Sequence, residues 1–141
     1  MMLLLATQYA VAQYKFASDP TAFVADVNAM MATSKSPDAI AAGNTFGTTF
    51  TSLSSDQQKK LIETVQLLGK SKKVRSHPGF TYFFNSITAA KAANISAANF
   101  DTLLLVTNKI TETYDSKMLQ SFFVFTNDFF AKGLLYGSNY N

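Results

Sequence analysis

From Asp19 onward the chain places apolar residues at spacings of three and four and never sustains an apolar–polar alternation, which restricts it to helices. The first has a clear start: Asp19 can cap, Pro20 sits where its missing N–H costs nothing, and Phe23, Val24, Val27, Met30 and Met31 share one face. It is predicted to end near Ser34. Ser36 and Pro37 repeat the same grammar and open a second helix with Ala42, Phe46, Phe50 and Leu53 as its stripe. Gly43 and Gly47 inside it would each cost about 1 kcal/mol relative to Ala, so a close helix crossing is the expected compensation. Ser55 and Gln58 match a capping box, and Leu61, Ile62, Val65 and Leu68 form the buried side of a third helix that Gly69 or the following basic run is expected to end.

A fourth helix is predicted from about Pro78. Phe80, Phe83, Phe84 and Ile87 at its head and Ala89, Ala90, Ala92 and Ala93 at its tail suggest one thick contact and one close one. Asn94 and Ser96 mark a turn and cap before a fifth helix carrying Phe100, Leu103, Leu104, Ile110 and Tyr114, with Asp101 expected in its first turn. Asp115 or Ser116 should start the last helix. Its apolar residues, from Met118 and Leu119 through Phe122, Phe123, Phe125, Phe129 and Phe130 to Leu134 and Leu135, occupy most of the circumference, and so predict the element around which the others pack. Gly133 and Gly137 predict its end by Tyr136.

The expected fold is therefore all-α: an irregular bundle of about six antiparallel helices, or stacked helical hairpins joined by short turns. Helix pairs of about 35 residues invite a tetratricopeptide reading, but that pattern needs Trp, Gly and Tyr at set places and this chain has no Trp. Hydrophobic content of 48% with thirteen Phe is too rich for disorder, whereas 15% charged residues predicts an unusually neutral surface. The absence of cysteine excludes disulfides, thiolate catalysis and cysteine-ligated zinc.

Met1-Met2-Leu3-Leu4-Leu5-Ala6-Thr7-Gln8-Tyr9-Ala10-Val11-Ala12 reads as an export signal with its cleavage site before Gln13. The run is too short to span a bilayer, which needs about 20 apolar residues. It lacks the usual basic start, since no charge precedes Lys15, and the competing reading is a buried first helix. Export predicts residues 1–12 as a signal peptide, 13–141 as a single helical domain, no stable membrane span after cleavage, and a secreted, periplasmic or cell-surface location.

Groups able to carry chemistry are sparse. His77 is the one histidine, so two-histidine metal sites are excluded and a Ser-His-Asp arrangement would rest on a single loop residue before a proline. The carboxylates are scattered; Asp19, Asp38, Asp56, Asp101 and Asp115 fall at predicted helix beginnings, where capping and the helix dipole account for them. Gly43 and Gly47 follow no strand and make no phosphate loop. No catalytic, metal or cofactor-binding residue is assigned, and the chain is expected not to be an enzyme.

Between Lys59 and Arg75 six cations face Glu63 alone. Within that stretch Lys70, Lys72, Lys73 and Arg75, in a connection predicted over Lys70 to His77, form the candidate anion-binding cluster for phosphate, an acidic glycan or lipid headgroups. A nucleic-acid partner is not expected, since binders show a broader basic face with more Arg. The pairs Phe83-Phe84, Phe122-Phe123 and Phe129-Phe130 are expected in the core; any that prove exposed would indicate a missing partner surface. Asn94-Ile95-Ser96 matches the glycosylation acceptor pattern, which matters only in a eukaryotic secretory pathway.

A short signal ending Ala-Val-Ala before Gln13, a Phe-rich helical region, and the closing Phe129-Phe130-Ala131-Lys132-Gly133-Leu134-Leu135-Tyr136-Gly137-Ser138 together resemble the N-terminal helical region of large secreted Bacteroidota-type proteins of uncharacterised role. The resemblance implies the N-terminal part of a longer protein, with further domains after the turn Gly137-Ser138-Asn139-Tyr140-Asn141, and it brings no catalytic residues. The expected function is a non-catalytic helical structural or protein-interaction module of an exported protein, with a protein partner or further domains of the same chain. The alternative is a free-standing helical protein that binds anionic ligands through residues 70–75.

Overall fold

The computed structural model describes residues 14–71 and 77–136. They form six helices: α1 (Pro20–Ala32), α2 (Pro37–Thr51), α3 (Ser55–Lys70), α4 (His77–Ala92), α5 (Ala97–Thr113) and α6 (Ser116–Tyr136). No strand occurs among the described residues, so the all-α expectation stands. The segment Met1 to Ala12 that reads as an export signal, the cleavage point expected before Gln13, and the closing residues Gly137 to Asn141 lie outside the described residues.

Local chemistry sets the helix starts. The Asp19 carboxylate accepts from the Ala22 N–H at 3.0 Å, with Pro20 at the first helical position. Ser36 caps α2 in the same way ahead of Pro37. The capping box of α3 lies one residue earlier than expected: Ser54 Oγ accepts from Gln57 N–H at 3.2 Å, and Gln57 Oε1 accepts from Ser54 N–H at 3.1 Å. That register frees Gln58, whose amide donates to the Phe50 carbonyl at 3.0 Å near the end of α2. Ser96 and Asp115 cap α5 and α6 by accepting from Asn99 and Met118 N–H. Lys35 and Asn94, in the turns leading to α2 and α5, take left-handed backbone conformations at φ 62° and 59°, which suit Asn and strain Lys.

Alternate helices pair, giving two rows. One row runs α2, α4, α6 and the other α1, α3, α5, and the close packing of α1 on α2 joins them. The all-α helical bundle is therefore the expected class of fold, but past α2 each helix packs on alternate helices more than on its neighbour in sequence. Gly43 and Gly47 make the α1–α2 crossing: a Cβ on Gly43 would stand 3.0 Å from Met31 Cβ and Cγ, and one on Gly47 3.2 Å from a Val24 methyl. The helix-weakening glycines are offset by that approach, as their position in the pattern predicted.

The core is a chain of phenylalanine rings. From α6 inward, Phe123 meets Phe83 at 5.3 Å between ring centres, Phe83 meets Phe84 at 5.9 Å, Phe84 meets Phe46 at 4.3 Å, and Phe46 meets Phe23 at 6.1 Å. All five are buried. Where α4 packs against α6, Ser86 Oγ lies 2.9 Å from both the Phe123 carbonyl and Thr126 Oγ1.

One expectation is corrected: α6 is not the element around which the others pack. It lies at the end of its row against α4, which is flanked by α2 and α6 and buries Phe80, Phe83, Phe84 and Ile87. Apolar residues around a helix show that it needs cover on several sides, but not that cover is present. Of the two ends expected for α3, Gly69 and the basic run after it, the second holds: the helix runs through Lys70 and stops there. No glycine among the described residues has positive φ, and the missing Cβ of Gly69 instead admits the segment Tyr14 to Ser18.

That segment crosses the end of α3 as a strap. Phe16 is buried against Phe23 and Phe80, and the Tyr14 ring stands edge-on to Phe80. Gln66 Nε2 donates to the Phe16 carbonyl at 3.0 Å and to Ser18 Oγ at 3.1 Å, while the Ala17 N–H donates to Asp26 at 2.8 Å. A Cβ at Gly69 would come within 2.5 Å of the Tyr14 carbonyl oxygen.

Candidate functional site

The basic cluster is only partly placed. Lys70 is the exposed last residue of α3, whereas Lys72, Lys73 and Arg75 lie outside the described residues. His77 is the first residue of α4 and not a loop residue as expected. Asn94 occupies the left-handed turn before α5, and the Ser96 hydroxyl of its glycosylation-type triplet is used as the helix cap.

The other lysine with a defined setting is structural. Lys60 Nζ lies 2.9 Å from Asp101 and 3.0 Å from Asp56, tying α3 to α5. Asp101 is therefore not a first-turn dipole partner: α5 starts at Ala97 after the Ser96 cap, which leaves Asp101 in the second turn and level with Lys60. Hydrogen bonds to Asp101 and then Asp56 hold the Lys60 ammonium above its ordinary 10.5. A value raised on folding means that the tie contributes at pH below 10.5 and is lost as pH climbs through the folded-state value. The thermal midpoints of wild type and Lys60→Gln should accordingly differ at neutral pH and converge in strong alkali. A difference that persists there would mean that the charge is not what Lys60 contributes.

A concavity of about 650 Å³ forms a trough between the start of α2 and α4. Asp38, Thr45, Thr81, Tyr82 and Asn85 line it over a base that includes buried Ala39 and Ala42. Asp38 is the one carboxylate in that lining. A second hollow, about 620 Å³, borders α6 at Lys117, Gln120, Ser121, Val124 and Phe125. Among the described residues no three His, Cys, Asp or Glu side chains gather as a metal site would require, and no helix is long and apolar enough to cross a membrane.

The most distinctive surface is apolar. Among the described residues every large exposed apolar side chain except Ile40 lies on α5, α6 or the turn between them: Leu105, Val106, Tyr114, Met118, Phe125 and Phe129. Phe125 is 64% exposed and Phe129 52%, and their rings stack with centres 6.2 Å apart. Phe129 thus departs from its expected place in the core, whereas Phe83, Phe84 and Phe123 occupy theirs. The hydrophobic spacing marked these residues as needing cover; it carried no signal that the covering surface would be absent from this fold.

No family model, no curated protein and no solved structure matches this chain.

Proposed function

We propose that this protein is a non-catalytic helical module of an exported protein, whose working surface is the exposed apolar face of the last helix, α6. The observation that carries this reading is the position of α6. A helix apolar around most of its circumference stands at the end of a row with Phe125 and Phe129 largely in solvent. Isolated exposed apolar residues are ordinary on protein surfaces, but a cluster confined to one end of a stack is what a contact surface requires. The sparse inventory of histidine and carboxylates, with no cysteine, supports a binding role over a catalytic one. Export rests on the apolar run ending Ala10-Val11-Ala12.

Photo-crosslinking in the exporting cell tests the contact surface. A benzophenone amino acid at position 125 is expected to give discrete adducts, and the same group at the exposed Ala25 of α1 is not. Equal yields at the two positions would contradict the reading. Sequencing of the mature N-terminus tests export separately, with Gln13 expected as the first residue.

A further inference from the structure

The seam between α2 and α4 is open at its start and closed further along by rings, Phe46 against Phe84 at 4.3 Å. At the open end α2 presents Asp38, Ala41, Ala42 and Thr45 at spacings of three and four, and α4 presents Thr81, Tyr82 and Asn85. The buried floor is made of the methyl groups of Ala39 and Ala42, which leave a hollow of about 650 Å³ above them. Small-molecule sites have volumes of roughly 300–1,000 Å³. The polar groups around this hollow are uncommitted. Thr48, Thr51, Thr102, Thr107 and Thr111 turn their hydroxyls back onto carbonyls of their own helices, but Thr45 does not. The side chains of Asp38, Tyr82 and Asn85 are likewise without a hydrogen-bond partner among the described residues. Three residues past Asn85 on the same side of α4, the Thr88 hydroxyl oxygen is buried and has no partner among them either.

We propose that this trough is a binding site for a neutral sugar. Asp38 is the single charge in its described lining, so an anionic ligand is repelled, and one exposed carboxylate screened by water holds a small cation only weakly. Around Asp38 stand the Thr45 and Tyr82 hydroxyls and the Asn85 amide, each of which both donates and accepts hydrogen bonds. Sugar hydroxyls do both as well, and neighbouring ones on a ring meet the carboxylate as donors and the amide as donor or acceptor. Tyr82 adds a half-buried ring beside its hydroxyl, a surface suited to a ligand that carries C–H and O–H groups together. A purely apolar ligand would strip water from these side chains and offer nothing in exchange.

Amide chemical shifts of the isotope-labelled chain, titrated separately with glucose, galactose and mannose, test the proposal. At least one of the three should shift residues 38–45 and 81–85 saturably, with a dissociation constant of about 1 mM. The uronic acid of that sugar should bind about tenfold more weakly, because its carboxylate meets Asp38. Asp38→Ala and Asn85→Ala should each weaken sugar binding by about tenfold. Ala41→Phe, at an exposed position on the edge of the trough, should abolish binding by filling it while the helical circular dichroism stays as in wild type. No saturable shift with any of the three sugars up to about 50 mM overturns the proposal. Shifts that survive Ala41→Phe, or a uronic acid that binds as well as its sugar, overturn it too. A response to putrescine that Asp38→Ala removes, with none to the sugars, would make the trough a cation site and overturn the sugar reading. Each of these outcomes leaves the contact-surface reading of α6 untouched, because no residue of α6 belongs to the described lining.

Discussion

Phe84→Ala should destabilise the protein by about 3–5 kcal/mol, the range for truncating a fully buried aromatic ring. Phe84 has no exposed surface, and its ring joins Phe46 of α2 at 4.3 Å to Phe80 and Phe83 of its own helix. Through Phe83 the same contacts reach Phe123 on α6. Its loss would open a cavity where α2 and α4 of one row meet, and a domain of this size has only about 5–15 kcal/mol in all. Phe125→Ala is the matched control: the same residue type, equally consistent with a helical stripe, but 64% exposed and expected to change stability by no more than about 0.5 kcal/mol in the monomer. Urea midpoints of the two variants, measured at a concentration below any self-association, should therefore differ widely. Equal losses would mean that α6 is buried centrally and that the order of the row is wrong.

Gly69→Ala has the second large effect, with a sign opposite to the one helix propensity gives. In a helix interior alanine is about 1 kcal/mol better than glycine. At this position the added methyl would sit 2.5 Å from the Tyr14 carbonyl oxygen and 2.9 Å from the Phe16 ring, and the strap must lift to admit it. Lifting exposes Phe16, which burial stabilises by about 1.5–3 kcal/mol, and breaks the hydrogen bonds from Gln66 to the Phe16 carbonyl and from Ala17 N–H to Asp26. A net loss of about 2 kcal/mol is expected, with fast amide exchange at residues 15 to 18 as its local signature. A more stable Gly69→Ala protein with unchanged exchange would show that the strap is not held at this notch. Gly43→Ala and Gly47→Ala meet side chains at 3.0 and 3.2 Å, not backbone, so their losses should be smaller.

The parts of the fold that local chemistry determines were legible before any coordinates. Asp19-Pro20, Ser36-Pro37, Ser96 and Asp115 announce helix starts because an orphan N–H needs an acceptor there, whatever the tertiary structure. The buried stripes of α1 to α4 were legible for a similar reason, since the spacing of Phe46 and Phe50 or of Leu61 and Val65 permits only one shared face. Pairing between helices is different. The pattern of α6 is the same whether it sits at the centre of a bundle or at the open end of a row, and only the placement of α4 between α2 and α6 distinguishes them. The helix end at the basic run is legible, but the role of Gly69 is not, because an end-of-helix glycine usually signals a left-handed cap, while the strap it accommodates lies some fifty residues earlier and has no local trace. Asp101 lies one turn further along than expected although its Ser96 cap is as expected, and its partner Lys60 is a long-range contact that spacing cannot reveal.

The central claim is that the outer face of α6 is open in the folded chain and covered in the working protein. Because the sequence contains no cysteine, a single introduced thiol reports on one place alone. Phe125→Cys on α6 and Ala25→Cys on α1 should both react readily with a maleimide in the dilute purified chain, as both positions are exposed. On the intact protein in its cell, the thiol at 25 should still react and the thiol at 125 should be protected until denaturant is added. Equal, rapid labelling of both positions on the cell would contradict the account.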